Sequence, residues 1–111
     1  GSRILLLGVT YKADISDMRE SPALDIMHIL HERGASVAYH DPHVPRVLMD
    51  GWSIATAELT SDVLRAADCV VITTAHSTYD WQWVIDNSRL VVDTRNVTVQ
   101  VKPGATRIVK L

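Results

Sequence analysis

Two cationic and three acidic side chains are concentrated in residues 8–20, where the sequence is GVTYKADISDMRE. The cations are Lys12 and Arg19, and the carboxylates are Asp14, Asp17 and Glu20. Because Lys and Arg bind phosphate oxygens through charge-assisted hydrogen bonds, the two cations suit a phosphorylated ligand. They could equally pair with the carboxylates in a solvated loop, where such pairs contribute about 0–1 kcal/mol. From spacing alone, both interpretations stand.

The elements on either side of this segment predict that it lies at a ligand-binding edge. The apolar run at residues 4–7 is typical of a buried parallel strand. Ser21 followed by Pro22 is typical of a helix start. A strand-to-helix connection normally needs about 2–6 residues, and this one is much longer. Since open α/β sheets bind ligands at the carboxyl ends of their strands, residues 8–20 are the leading site candidate.

The whole chain predicts a doubly wound α/β fold: a mostly parallel, Rossmann-like sheet of five or six strands in a single domain. Its length of 111 residues is that of one domain. Helical patterns predict helices at 22–33, 62–67 and 78–86. Apolar runs predict strands at 4–7, 36–39, 69–73, 90–92 and 106–109, with a further short strand at 54–56 near an edge of the sheet.

The predicted carboxyl edge brings other polar residues toward Lys12 and Arg19. Tyr11 follows the first strand, His76 follows a central strand, and Arg95 follows the next. A charge beside a buried strand end needs a partner, so Arg95 is a candidate for binding an anionic ligand. His76 is either a functional side chain or a hydrogen-bonded loop histidine, and the sequence leaves both open.

Neither a dinucleotide site nor a catalytic set can be assembled from the residues. A dinucleotide-binding turn needs G-x-G-x-x-G, and this segment has only Gly8. Asp41 closes the second strand, where a Rossmann ribose-binding acid would lie, but without the glycines that indication is weak. The histidine pairs lack the Cys or carboxylate partners of a metal site, so no metal is predicted. The residues alone favour a binder, and a free-standing, non-catalytic nucleotide-binding or sensory domain is the alternative hypothesis.

Composition disfavours other classes of protein. A net charge of −2 argues against a general nucleic-acid binder. No apolar run reaches the roughly 18 residues of a membrane span, and no signal peptide is recognisable. The single Cys69 fits a reducing compartment, so a cytoplasmic location is expected. Gly1 and Ser2 resemble a cloning scar, and residues 3–111 are expected to be one domain of a longer protein.

Four motifs occur in order along the chain: G-x-x-Y-K at 8–12, D-x-R-E-S-P at 17–22, Y-x-D-P at 39–42 and D-x-R-N at 93–96. With the stretch ADCVVITTAHSTYDW, they resemble the C-terminal, UDP-binding domain of the UDP-glucose/GDP-mannose dehydrogenase family. The resemblance covers nearly the whole chain. RESP together with HSTYDW is more similar to the branch that acts on UDP-N-acetylated hexosamines.

The resemblance implies part of an NAD-dependent enzyme that oxidises the C6 alcohol of a UDP-sugar to a carboxylate with two NAD+. Tyr11, Lys12 and Arg95 would contact the substrate, and Arg19 would reach across an interdomain cleft toward NAD. An N-terminal NAD domain with the catalytic Cys and a central helical segment would complete the enzyme, expected as a homodimer. Ala13 stands where many relatives have a second Lys. With no catalytic residue in this chain, the domain alone is not expected to turn over substrate.

Overall fold

The computed structural model describes residues 2–10, 21–49, 51–102, 104 and 106–110. None of the helices in these ranges is long and apolar enough to cross a membrane. In chain order the elements are β1 (Arg3–Leu7), α1 (Pro22–Glu32), β2 (Ser36–His40), β3 (Arg46–Met49), β4 (Trp52–Ala55), α2 (Ser61–Ala66), β5 (Cys69–Ile72), α3 (Trp81–Asn87), β6 (Leu90–Asp93), a 3-10 helix (Val97–Gln100) and β7 (Arg107–Lys110).

Five strands form one parallel sheet in the order β2-β1-β5-β6-β7, which confirms the predicted α/β fold. Ile4 of β1 pairs with Val37 of β2 on one side and with Cys69 of β5 on the other. The predicted strand at 54–56 was wrongly placed. Its residues belong largely to β4, which pairs with β3 in a separate antiparallel hairpin, with Val47 opposite Ile54.

The core lies on both faces of the sheet, because alternate side chains of β1 point to opposite sides. Leu5 and Leu7 pack in a cluster with residues of α2 and α3. Leu6 packs on the other face with Met27 of α1 and Val47 of the hairpin. Covering both faces explains why β1 is a continuous apolar run rather than an alternating one.

Side-chain caps set the first residue of each α-helix. The Ser21 hydroxyl accepts a hydrogen bond from the Ala23 N–H at 3.3 Å, and α1 starts at Pro22 as predicted. The third helix was predicted to start at residue 78, but it begins at Trp81. There the Asp80 carboxylate accepts from the Trp83 N–H at 3.2 Å and so acts as the N-cap.

A close backbone approach joins the carboxyl ends of β1 and β5. Gly8 has φ +87°, and a Cβ at this position would lie 2.3 Å from Cβ of Thr74 and 2.8 Å from its carbonyl oxygen. No real side chain tolerates such contacts, so the approach requires glycine for both space and backbone conformation.

We expect Gly8→Ala to destabilise the fold far more than Gly34→Ala. Gly34 has a similar φ of +83° but no atom within 4 Å of a built Cβ, so its substitution costs only left-handed backbone strain, about 1–2 kcal/mol. At Gly8 overpacking adds about 1–3 kcal/mol. Urea unfolding of both variants measures the difference. Equal losses of unfolding free energy would show that the approach to Thr74 is not a constraint.

Candidate functional site

The sheet changes its direction of growth between β1 and β5. From β1 the chain crosses to β2 on one side, and later returns to place β5 on the other side. Crevices that bind ligands in open α/β sheets form at the carboxyl side of this kind of switch point. Residues 8–10 leave β1 here and residues 73–76 leave β5 here, so the start of the segment singled out from the sequence lies at this switch point.

Two buried threonines after β5 bind the backbone that leaves β1. The Thr73 hydroxyl contacts the carbonyl oxygens of both Leu7, at 3.1 Å, and Gly8. The Thr74 hydroxyl donates to the carbonyl oxygen of Thr10 at 2.7 Å. The Thr73 and Thr74 hydroxyls therefore hydrogen-bond backbone carbonyls at residues 7, 8 and 10. The sequence did not indicate this role for them.

Asp41 is a buried carboxylate that joins three loops. Its Oδ2 accepts from the Val9 N–H at 2.8 Å and lies 2.8 Å from Nε2 of His76. Its Oδ1 accepts from the His43 N–H at 2.8 Å. The side chains of Asp41 and His76 are both 0% exposed. His76 is thus a buried loop histidine within hydrogen-bonding distance of Asp41.

The residues described at this edge do not fit a dinucleotide. An open cleft lies at the end of β2, lined among others by His40, Asp41, Thr56 and Glu58. Asp41 presents no exposed carboxylate oxygen to a ribose there, since its side chain is fully buried. The turn after β1 has Gly8 alone in place of the G-x-G-x-x-G that lets a backbone approach a pyrophosphate closely. The ribose-binding interpretation of Asp41 is therefore not supported.

A second polar contact joins the loop after β5 to the end of β2, beside Asp41. The Tyr79 hydroxyl donates to the carbonyl oxygen of His40 at 2.9 Å and lies 3.0 Å from Nδ1 of the same residue. Burial raises the pKa of the Tyr79 phenol and lowers the pKa of the His40 imidazole. Both groups are neutral near neutral pH, so this contact positions the two loops without adding charge to the crevice.

The D-x-R-N motif is a turn built around the buried carboxylate of Asp93. Oδ1 accepts from the Arg95 N–H at 2.9 Å, and Oδ2 accepts from the N–H and hydroxyl of Thr98 at 2.9 and 2.6 Å. Asn96 takes the left-handed conformation, φ 60°, which Asn tolerates better than most residues. The turn leaves Arg95 exposed, with its Nε donating to the carbonyl oxygen of Thr73 at 2.9 Å.

Arg95 therefore lies where the sequence predicted, at the carboxyl edge and next to the end of β5. Thr73 bridges it to Gly8, because the Thr73 hydroxyl contacts that backbone. The other predicted site residues, Tyr11, Lys12 and Arg19, lie outside the described residues.

Metal binding and thiol chemistry are two further roles that the reactive side chains of the described ranges could have. No group of three or more His, Cys, Asp or Glu side chains there is arranged to hold a metal ion. Burial raises the pKa of the Cys69 thiol, which disfavours the reactive thiolate. Among the predicted cations, Arg95 is the one that the described residues place at this edge.

Comparison with known proteins places the chain in a known family of domains. Residues 5–100 match the model of the UDP-glucose/GDP-mannose dehydrogenase family, UDP binding domain. The chain is 28% identical over 103 residues, 86% of its length, to the UDP-N-acetyl-D-mannosamine dehydrogenase of Methanococcus maripaludis. It is 32% identical over 105 residues, 87% of its length, to the UDP-glucose 6-dehydrogenase of Rhizobium meliloti.

A solved structure of the UDP-N-acetyl-mannosamine dehydrogenase from S. aureus aligns over 99% of the chain with a TM-score of 0.74 and 28% identity. The chain covers only a small part of each relative: 23% of the archaeal protein, 24% of the Rhizobium protein and 26% of the solved chain.

The Asp93 turn predicts a pH dependence of stability. Burial alone would raise the pKa of its carboxyl, but hydrogen bonds from the Thr98 hydroxyl and from backbone N–H groups outweigh it and hold the pKa below the ordinary 3.8. The unfolded chain therefore binds this proton more readily. The stabilisation is complete above the ordinary pKa and is lost as the pH falls through the lowered, folded-state pKa.

We expect the free energy of unfolding to fall below about pH 4, and Asp93→Asn to flatten part of that fall. Urea unfolding between about pH 3 and 7 measures it. Asp62→Asn is the control, because the Asp62 side chain is 95% exposed. An Asp93→Asn chain with the wild-type pH profile would contradict the assignment.

Proposed function

Because the chain belongs to the UDP-glucose/GDP-mannose dehydrogenase family and matches its UDP binding domain, we propose that residues 3–111 hold the UDP moiety of a UDP-sugar. The domain would do so as the C-terminal part of an NAD-dependent nucleotide-sugar 6-dehydrogenase. Tyr11, Lys12 and Arg95 are the proposed substrate contacts. The observation that carries the proposal is the position of Arg95, exposed at the switch point and hydrogen-bonded to the end of β5.

Charge supports a phosphate ligand at this edge. Asp93 is satisfied by Thr98 and by backbone N–H groups and makes no ion pair with the guanidinium of Arg95. Nε of Arg95 donates to a neutral carbonyl oxygen, and no carboxylate of the described residues pairs with the guanidinium, so its charge is available to an anion. Lys12 follows two residues after Thr10, whose carbonyl is fixed by Thr74, and would add a second cation.

In this proposal NAD is held mainly by an N-terminal domain outside the chain, with Arg19 reaching toward it. The misfit of Gly8 and Asp41 to a dinucleotide supports that division. NAD+ supplies a hydride acceptor, and oxidation of an alcohol to a carboxylate needs two. The contribution of this domain is to orient the UDP-sugar and exclude water when the domains close. A central helical segment and a second subunit would complete the enzyme.

We also propose a UDP-N-acetylated hexosamine as the sugar nucleotide. The RESP and HSTYDW segments favour that branch over the UDP-glucose branch. The names of the relatives include both kinds of enzyme at similar identity.

An NMR titration of the isotope-labelled chain with UDP, and separately with NAD+, tests the assignment. We expect UDP to shift the amide resonances of Gly8, Thr10, Lys12 and Arg95, and NAD+ to shift none of them. Comparable NAD+ shifts around Asp41 would instead support a free-standing Rossmann-type nucleotide binder. The absence of UDP shifts at millimolar ligand would contradict binding of UDP by this chain.

Removal of either proposed cation should weaken UDP binding. A hydrogen bond to a charged group contributes about 1.5–3 kcal/mol, so we expect Lys12→Ala and Arg95→Ala each to raise the Kd for UDP about tenfold or more. Isothermal titration calorimetry measures the change. Arg89→Ala is the matched control, since Arg89 is an exposed arginine at the opposite, amino end of β6. Equal Kd values for Arg95→Ala and Arg89→Ala would remove Arg95 from the site.

A further inference from the structure

We propose that Asp41 and His76 are positioning residues for the UDP-binding segment. Both side chains are 0% exposed, which favours a supporting role over direct contact with a ligand. Together they hold the backbone of residues 8–10, from which the chain continues to Tyr11 and Lys12. The inference rests on the proposed function for the identity of the ligand, and on the hydrogen-bond network alone for the positioning.

The backbone at residues 8–10 is held on several sides before Tyr11 begins. The Gly8 N–H donates to the carbonyl oxygen of His40 at 2.9 Å. The Val9 N–H donates to Oδ2 of Asp41 at 2.8 Å. The Thr10 carbonyl accepts from Thr74 at 2.7 Å. Since these groups are buried, each bond lost would leave an unsatisfied polar group, and the direction of the chain at Thr10 is fixed.

Among these groups Asp41 is the carboxylate, and its contacts come from separate parts of the chain. Val9 follows β1, His43 follows β2 and His76 follows β5. The Val9 N–H and Nε2 of His76 both contact Oδ2 of Asp41. If Asn replaced Asp41, its side-chain carbonyl oxygen would have to occupy the Oδ2 position to accept from both. Its NH2 group would then face the His43 N–H. Donor would meet donor at one of the two positions in either orientation.

His76 fixes the orientation of that carboxylate and also contacts the segment itself. Its Nε2 lies 2.8 Å from Oδ2 of Asp41 and 3.3 Å from the hydroxyl of Thr10. The ring of His43 packs edge-on against the His76 ring with centroids 4.8 Å apart, which limits rotation of the imidazole. The contact with Asp41 therefore requires a hydrogen-bond donor at the position of His76 Nε2.

Four variants of the 111-residue chain separate positioning from overall stability. Asp41→Asn disrupts the acceptor, His76→Leu removes the donor, and His76→Gln restores an N–H donor at a similar reach. Leu64→Ala is the control, because Leu64 is a buried residue of α2 packed in the core cluster shared with α3. The readouts are the Kd for UDP and, without ligand, the amide resonances of Tyr11 and Lys12.

We expect Asp41→Asn and His76→Leu to raise the Kd for UDP about tenfold and to shift both amide resonances. His76→Gln should restore much of the affinity. Leu64→Ala should lower the melting temperature while leaving the Kd and both resonances near wild type. The proposal is overturned if folded Asp41→Asn and His76→Leu chains match wild type in both readouts, or if Leu64→Ala changes both as strongly as they do.

The two proposals fail in different ways. A wild-type chain that does not bind UDP would overturn the proposed function, and the ligand-free resonances of Tyr11 and Lys12 would still decide the positioning role. Unchanged resonances and affinity in the variants would overturn the positioning role while UDP binding by wild type stands. If Asp41→Asn does not fold, the comparison of His76→Leu with His76→Gln decides the outcome.

Discussion

The buried carboxylate of Asp41 is the interaction on which the geometry of the crevice depends. Isolated buried charges are strongly unfavourable, and this one is compatible with the fold because three donors from separate loops converge on it. The dependence is mutual, since each of those buried donors would lose its acceptor without Asp41. The ends of β1, β2 and β5 are therefore fixed relative to one another as a single unit.

The strand order explains why this unit lies at a binding edge. The chain reaches the two neighbours of β1 in opposite directions along the sheet, and the carboxyl side of such a switch point is where open α/β sheets bind ligands. Gly8 and Thr74 set how closely the two ends approach. Thr73 and the Asp93 turn then place Arg95 beside the same opening. A rigid base under an exposed cation is what preorganised recognition of a phosphate requires.

Local pattern predicted the parts of the fold whose causes are local. Ser21-Pro22 fixed the start of α1, and the apolar runs located β1, β5 and β6, because a cap or a buried strand depends on a few neighbouring residues. The start of α3 was predicted three residues early, since helical periodicity does not show that Asp80 is the cap. The β3–β4 hairpin was missed as a unit, and its Leu48 is 79% exposed, which obscures any periodic pattern.

The site was predictable to the level of its edge, and Arg95 was found where its strand ends. The roles of Asp41 and His76 were not, because burial decides them. At the end of a second Rossmann strand, an aspartate with free oxygens would suit a ribose, whereas one saturated by internal donors is structural. Sequence position is identical in the two cases. Whether the aspartate is saturated depends partly on His76, which lies 35 positions away in the chain. Long-range packing determines that contact, and the local sequence pattern does not show it. A motif match therefore locates a polar residue in such a crevice, and its satisfied or unsatisfied hydrogen bonds determine whether it binds the ligand or holds the segment that does.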